Sequence, residues 1–239
     1  MAGAGAATGD VPAQELTGLG DAAMDWVAWH EGYEASPALI GRLRAVRAHI
    51  SRCLDASPPG PVSILSVCAG DGQDLIGALI GHPRAADVRA RLIELDPRLA
   101  ERGRDAAEGA GLAERIEFAV GDATRASAYR GLAPAQIVLV CGVFGNIRSE
   151  DTVSLIEGLG FLCARGGFVL WTRGLRRGGA AHAARIRSLL IESGFEEASV
   201  EPTADGSFLV GTSRHLGESP FPSGDARLFT FADRPRWSA

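Results

Sequence analysis

Ile64–Leu79 reads ILSVCAGDGQDLIGAL, and its two halves carry different periods. Val62 to Val67 is an apolar run rich in β-branched residues and free of charge, which suits a strand buried on both faces of a parallel sheet. Cys68, Ala69, Gly70, Asp71 and Gly72 follow, all small or turn-forming, and then Leu75, Ile76, Leu79 and Ile80 recur at helical spacing. The order is strand, glycine turn, helix. Such a turn leaves the first amides of the helix pointing at the mouth of the sheet, and Gly70 and Gly72 have no side chain to hold an anionic or polar ligand away. This stretch alone implies a nucleotide-like ligand.

Upstream, Pro37 to Asp55 carries Leu39, Ile40, Leu43, Val46, Ile50 and Leu54 on one stripe, with Arg42, Arg44, Arg47 and Arg52 mostly off it. That pattern is an amphipathic helix, stopped before the SPPGP run at 57–61. Ahead of it, Trp26, Trp29, His30 and Tyr33 fall close together. They read either as aromatics that staple a helical cap onto the sheet or as a cap that closes over a ligand. The expected organisation is a flexible terminus at 1–10, a helical cap at 11–60, a Rossmann-like domain at 61–214 and a C-terminal arm at 215–239.

Downstream, Val88 to Leu95 alternates into a second strand ending in Glu94 and Asp96. A charged helix spans Leu99 to Ala113, and Ile116 to Val120 is a third strand that ends at Gly121 and Asp122. Gln136 to Cys141 is almost wholly apolar and therefore central. A helix over Thr152 to Ala164 leads to a fifth strand at Gly167 to Thr172, a helix over His182 to Ser193 follows, and two strands lie near Ala198 to Glu201 and Ser207 to Gly211. Strands alternating with helices in this way predict an α/β fold: a doubly wound, mostly parallel seven-stranded Rossmann-like sheet with an N-terminal helical cap. The tail contains LFTF at 228–231, which the pattern does not place.

Composition narrows the chemistry. The 239 residues are 46% hydrophobic and 22% charged, enough for one large domain with decoration, and no apolar run approaches the ~18 residues needed to span a bilayer. The opening MAGAGAATGD has neither a basic flank nor a long apolar core, so a cytoplasmic protein is expected, without membrane attachment. A net charge of −5 gives no footprint for nucleic acid. Cys53, Cys68, Cys141 and Cys163 form no CxxC pair, so no metal site is expected. The chain has no lysine: all 24 basic residues are arginine. This excludes Schiff-base chemistry and the lysine of a P-loop.

In an open α/β sheet, ligands bind at the carboxyl ends of the strands where strand order reverses. There the sequence offers Gly70, Asp71, Gly72 and Asp74 after the first strand, Glu94, Leu95 and Asp96 after the second, Asp122 after the third, and Gly142, Phe144 and Asn146 after the fourth. Each residue alone reads as a turn or cap residue. Their joint order reads as a ligand site.

From Val62 to about Val210 the chain resembles the class I S-adenosylmethionine-dependent methyltransferases. The matching stretches are ILSVCAGDGQDL, LIELDPRLAERGR, VGDA, IVLVCGVFGNI, LCARGGFVLWTR and IESGFEEASVE. The resemblance implies S-adenosyl-L-methionine as cofactor, held by the turn Cys68 to Gly72. Glu94 and Leu95 would lie at the ribose, Asp122 and Ala123 at the adenine, and Cys141, Gly142 and Phe144 on the floor near the methyl group. The family usually has an acid where this chain has Ser66 and a glycine where it has Cys68. Asp71 or Asp74 would then meet the ammonium end.

Methyl transfer to an O or N nucleophile of a small molecule is the function this implies, with His30 or Tyr33 as the base and Trp26, Trp29, Asn146 and Arg173 on the acceptor. Arg173, Arg176 and Arg177 would suit a carboxylate or phosphate, or form a solvated face. The second reading, motivated by Ser66 and Cys68, is a descendant of the fold that serves as a binding module, as the partner subunit of another chain, or as a scaffold for other chemistry. Aminopropyl transfer fits less well, because acids are missing from Cys141 to Gly145. A nicotinamide oxidoreductase lacks its third glycine, where Leu75 stands. A homodimer or a heteromeric partner is compatible with either main reading.

Overall fold

The structure, a computed structural model, describes residues 36–232. Seven strands form one sheet: β1 (Val62–Val67), β2 (Val88–Glu94), β3 (Ile116–Val120), β4 (Ala135–Val140), β5 (Cys163–Gly174), β6 (Phe195–Pro202) and β7 (Phe208–His215). Their order is β3-β2-β1-β4-β5-β7-β6, and only β7 runs antiparallel to its neighbours. The expected doubly wound, mostly parallel sheet is present, and its two last strands in the chain, β6 and β7, form an antiparallel hairpin. Strand order reverses between β1 and β4, which puts the switch point at the glycine turn.

Among the described residues five α-helices flank the sheet: α1 (Pro37–Ala56), α2 (Gln73–Leu79), α3 (Pro97–Gly109), α4 (Asp151–Leu162) and α5 (Gly179–Glu192). Because side chains alternate along a strand, β1 sends Ile64 to one face and Leu65 to the other. Ile64, Leu92, Ile137 and Leu170 pack under α1, α2 and α3, with Val46, Ile50 and Leu79. Leu65, Val138, Val140 and Trp171 pack under α4 and α5, with Leu159 and Ile186. Apolar strands buried on both faces are what the uncharged runs of β1 and β4 anticipate.

Three details differ from the sequence reading. Helix α2 stops at Leu79, so Ile80 is exposed. Helix α4 ends at Leu162, and Cys163 already pairs with Ala135 before Gly166 and Gly167 interrupt the register. The third difference concerns α1, whose arginines do not all face solvent. Arg42 is buried, and the Arg47 guanidinium lies against Gly77 while Nε and Nη2 donate to the Gln73 carbonyl at 3.1 and 2.8 Å.

The arm returns to the body. Leu228 and Phe229 are buried in the core under α4, where Leu228 fills the space left by Gly158. Backbone bonds run from Leu228 N to Thr124 O (2.7 Å), from Arg148 N to Thr230 O (3.1 Å) and from Ala232 N to Asn146 O (2.9 Å). The arm thus ties the loop after β3 to the loop after β4, both at the carboxyl edge of the sheet. Among the described residues no helix is long and apolar enough to cross a membrane.

Candidate functional site

The turn after β1 is strapped to β2. Ala69 N donates to Ile93 O at 3.0 Å, and Gly72 N to Ala69 O at 3.1 Å. Gly72 sits at φ +68°, and a Cβ there would lie 2.6 Å from Leu92 Cδ2 and 2.9 Å from the Phe118 ring, so only glycine fits. Cys68 has φ +54°, a left-handed conformation that costs a residue with a side chain about 1–2 kcal/mol. Its side chain packs on the core that holds Tyr129. Burial, with Glu94 and Asp122 nearby, pushes the thiol well above its ordinary range.

Glu94, at the end of β2, is 7% exposed and faces this turn. Its Oε2 accepts the Gly70 amide at 2.8 Å and its Oε1 accepts the Asp96 amide at 2.9 Å. Burial raises the carboxyl pKa, and those amides, with that of Leu95, oppose the rise. A carboxylate offers about four acceptor sites, so hydrogen-bonding capacity remains. Asp96 turns the other way, capping α3 through Arg98 N at 2.9 Å. At the end of β3, Asp122 Oδ1 accepts the Thr124 amide at 2.9 Å, and the Tyr129 hydroxyl donates to Ala123 O at 2.7 Å.

The two aspartates of the turn face different neighbours. Asp71 Oδ2 accepts from Gln73 Nε2 at 2.9 Å and lies 3.9 Å from Arg102 Nη2 on α3. Asp74 is half-buried, and desolvation raises its carboxyl pKa while the Leu75 amide and Arg42 counteract it. Arg42 reaches in from α1 and is 8% exposed. Burial lowers its pKa, opposed by Cys141 and Asp74. Its guanidinium lies 5.4 Å from the Phe208 ring centroid, and its Nη1 would be 3.5 Å from a Cβ on Gly142. Arg42 and Asp74 therefore bring opposite charges together beside the end of β4.

The sequence reading missed Arg42 because it counted only apolar residues on the α1 stripe. Its spacing to Val46, Ile50 and Cys53, which are all buried, is the signal that places it on the packed face.

The loop after β4 is held from within. Gly142 N donates to Thr172 Oγ1 at 2.8 Å, Asn146 Nδ2 donates back to Gly142 O, and Phe144 packs edge-on against Trp171 at 6.5 Å. Asn146 thus closes this loop. Arg173, at the end of β5, extends beneath it, with Nη2 2.9 Å from His182 Nδ1 and Nη1 3.3 Å from a Cβ placed on Gly145. The fold gathers Cys68 to Asp74, Glu94, Asp122, Cys141, Gly142 and Arg173 along one edge of the sheet. Trp26, Trp29, His30 and Tyr33 lie outside the described residues. A separate cleft of about 310 Å³, lined by Ser63, Arg91, Glu117 and Leu132, opens at the amino ends of the strands, far from the glycine turn.

No family model matches the sequence, and no curated relative matches it. Solved structures do match in fold. A possible exported protein from Bordetella parapertussis aligns over 76% of this chain and 70% of its own, at 16% identity and a TM-score of 0.59. The magnesium protoporphyrin IX methyltransferase of Synechocystis PCC 6803, solved with bound S-adenosylhomocysteine, aligns over 84% and 92% at 14% identity, TM-score 0.57. The [4+2]-cyclase SpnF aligns over 70% and 81% at 14% identity, TM-score 0.55. This chain spans only 62% and 64% of two O-methyltransferases that share the fold, from Planctomyces limnophilus and Burkholderia thailandensis. At these identities the likeness is one of architecture, and the chain has the fold of the class I S-adenosylmethionine-dependent methyltransferases.

Proposed function

We propose that the chain transfers a methyl group from S-adenosyl-L-methionine to an oxygen or nitrogen nucleophile of a small molecule. The observation that carries this reading is the buried Glu94 carboxylate bonded to the Gly70 amide, with acceptor capacity left over beside the glycine turn. A cofactor with two ribose hydroxyls, an adenine amino group and a zwitterionic amino-acid end meets a matching donor and acceptor set. Glu94 would accept the hydroxyls. Asp122 Oδ2, without a partner among the described residues, would accept the adenine amino group. Asp74 and Arg42 would take the ammonium and carboxylate of the methionine part, and Cys141, Gly142 and Phe144 would line the floor.

The chemistry that the cofactor supplies when bound is a methyl carbon on a sulfonium leaving group. What remains for the protein is to hold the acceptor in line at near-attack distance and keep water out. Where the nucleophile carries a proton, His30 is our base and Tyr33 the alternative, because an imidazole titrates near neutrality. Trp26 and Trp29 would close over the acceptor, and Asn146 and Arg173 would border it. The reading implies a cytoplasmic enzyme, in keeping with four free cysteines. Its test is release of S-adenosylhomocysteine from S-adenosylmethionine across a panel of phenols, carboxylates and amines, with His30→Ala lowering turnover more than cofactor affinity.

Cys68 favours a second reading, in which the fold is kept for other chemistry or for binding. The left-handed residue where the family has glycine carries a side chain that packs on the core and lies within electrostatic reach of Glu94 and Asp122. Binding of S-adenosylhomocysteine without turnover on any acceptor would select this reading.

A further inference from the structure

Gly142 follows β4 with φ +82°, a left-handed turn that redirects the chain at the carboxyl edge of the sheet. Both polar groups of this residue are held by side chains. Its amide donates to Thr172 Oγ1 at 2.8 Å, and its carbonyl accepts from Asn146 Nδ2. Thr172 lies near the end of β5 and is 2% exposed, so the sheet sets the place of its hydroxyl.

Asn146 is anchored in turn through its backbone. Its amide donates to Val143 O at 2.8 Å and its carbonyl accepts from Ala232 N at 2.9 Å, beside an antiparallel bridge between Ile147 and Phe231. The arm that supplies Ala232 is pinned by Thr230 N on Asp151 Oδ2 at 2.7 Å and by the buried Phe229. Between the two bonded positions of the loop, Val143 and Phe144 are buried, and Phe144 packs on Trp171. The Gly142 turn is therefore fixed from β5 on one side and, through Asn146, from the arm on the other.

We propose that Asn146 and Thr172 are positioning residues for the cofactor's sulfonium: by holding the carbonyl and the amide of Gly142, they fix the peptide dipoles of the floor on which the charged sulfur and its methyl group lie. The proposal rests on the methyl-transfer reading, which puts Cys141, Gly142 and Phe144 on that floor. S-adenosylmethionine and S-adenosylhomocysteine differ only in the methyl group and the positive charge that comes with it. Dipoles locked in advance stabilise a charge without reorganising when it arrives, so a locked floor favours the cation. A contact that only supports the fold favours both compounds alike.

The test is calorimetric titration of the full chain, as parent, Asn146→Ala, Thr172→Val and Thr172→Ser, with both compounds. Asn146→Ala removes the donor to the Gly142 carbonyl, and Thr172→Val replaces the hydroxyl by a methyl group of similar size. Each is expected to weaken S-adenosylmethionine at least about fivefold more than S-adenosylhomocysteine. Thr172→Ser keeps the oxygen and is expected to bind both compounds as the parent does. A ratio of the two affinities that stays at the parent value in Asn146→Ala or Thr172→Val, or that moves in favour of S-adenosylmethionine, overturns the proposal, as does a Thr172→Ser variant that behaves like Thr172→Val. A parent chain that binds neither compound overturns the methyl-transfer reading, and the proposal with it.

Discussion

Gly70 donates its backbone amide to Glu94 Oε2 at 2.8 Å, so the turn after β1 and the carboxylate that ends β2 form one unit. The same side chain holds the Asp96 amide at 2.9 Å. Glu94 thus shapes the turn as well as offering acceptors to a ligand.

This dual role separates two substitutions. Glu94→Gln keeps one carboxamide oxygen for the amides and is expected to fold while losing at least about tenfold in S-adenosylhomocysteine affinity. Glu94→Ala strands the buried amides and is expected to lose about 1–3 kcal/mol of stability as well. Titration and urea denaturation of both variants check this; unchanged affinity in Glu94→Ala would remove its ribose role.

Cys68 at φ +54° makes a different test. Relief of about 1–2 kcal/mol of left-handed strain in Cys68→Gly offsets the lost thiol packing and the greater freedom of the unfolded chain. Stability is expected to stay within about 1 kcal/mol of the parent, with cofactor affinity undiminished. Cys68→Val puts a β-branched residue in the same conformation and is expected to be clearly less stable. Equal denaturation midpoints for the two variants would contradict the strain.

The glycine turn, the acidic strand ends and the mostly parallel sheet were legible because they depend on local pattern: uncharged runs, small residues and a change of period. Arg42 was not, since a cation in a helix reads as solvent-facing until tertiary packing brings Asp74 and Cys141 around it. The LFTF segment was visible as apolar but not placeable, because its partners, Gly158 and the loops after β3 and β4, lie far back in the chain. Asp71 and Asp74 were equivalent on paper, and only the fold turns one toward α3 and the other toward Arg42.

Leu228 tests the arm. It is buried under α4 against Gly158, and truncating a buried leucine costs about 2–5 kcal/mol. Leu228→Ala is expected to lose stability in that range and to speed hydrogen exchange at the amides of residue 228 and Arg148, which bond the arm to the loops after β3 and β4. A surface-like loss below about 0.5 kcal/mol would detach the arm from the fold.

His49 gives the stability a pH dependence. It is buried where α1 meets β6 and β7, with Nδ1 2.8 Å from Thr212 Oγ1, Nε2 3.7 Å from Glu201 Oε2, and Arg52 and Cys53 beside it. Burial first, and Arg52 second, lower its pKa from 6.5 to about 4. Between those values the unfolded chain binds a proton that the folded chain refuses. The stabilisation is therefore complete above pH 6.5, falls as pH drops toward 4, and amounts to about 3 kcal/mol at most. Urea midpoints of the parent and His49→Gln across this range check it: the parent should lose more stability on acidification, and parallel curves would contradict the assignment.

Calorimetric titration of the full chain with S-adenosylmethionine and S-adenosylhomocysteine tests the central claim most directly. Both are expected to bind with dissociation constants of roughly micromolar order, about −8 kcal/mol. Failure of a chain with a cooperative thermal transition to bind either compound would contradict the account.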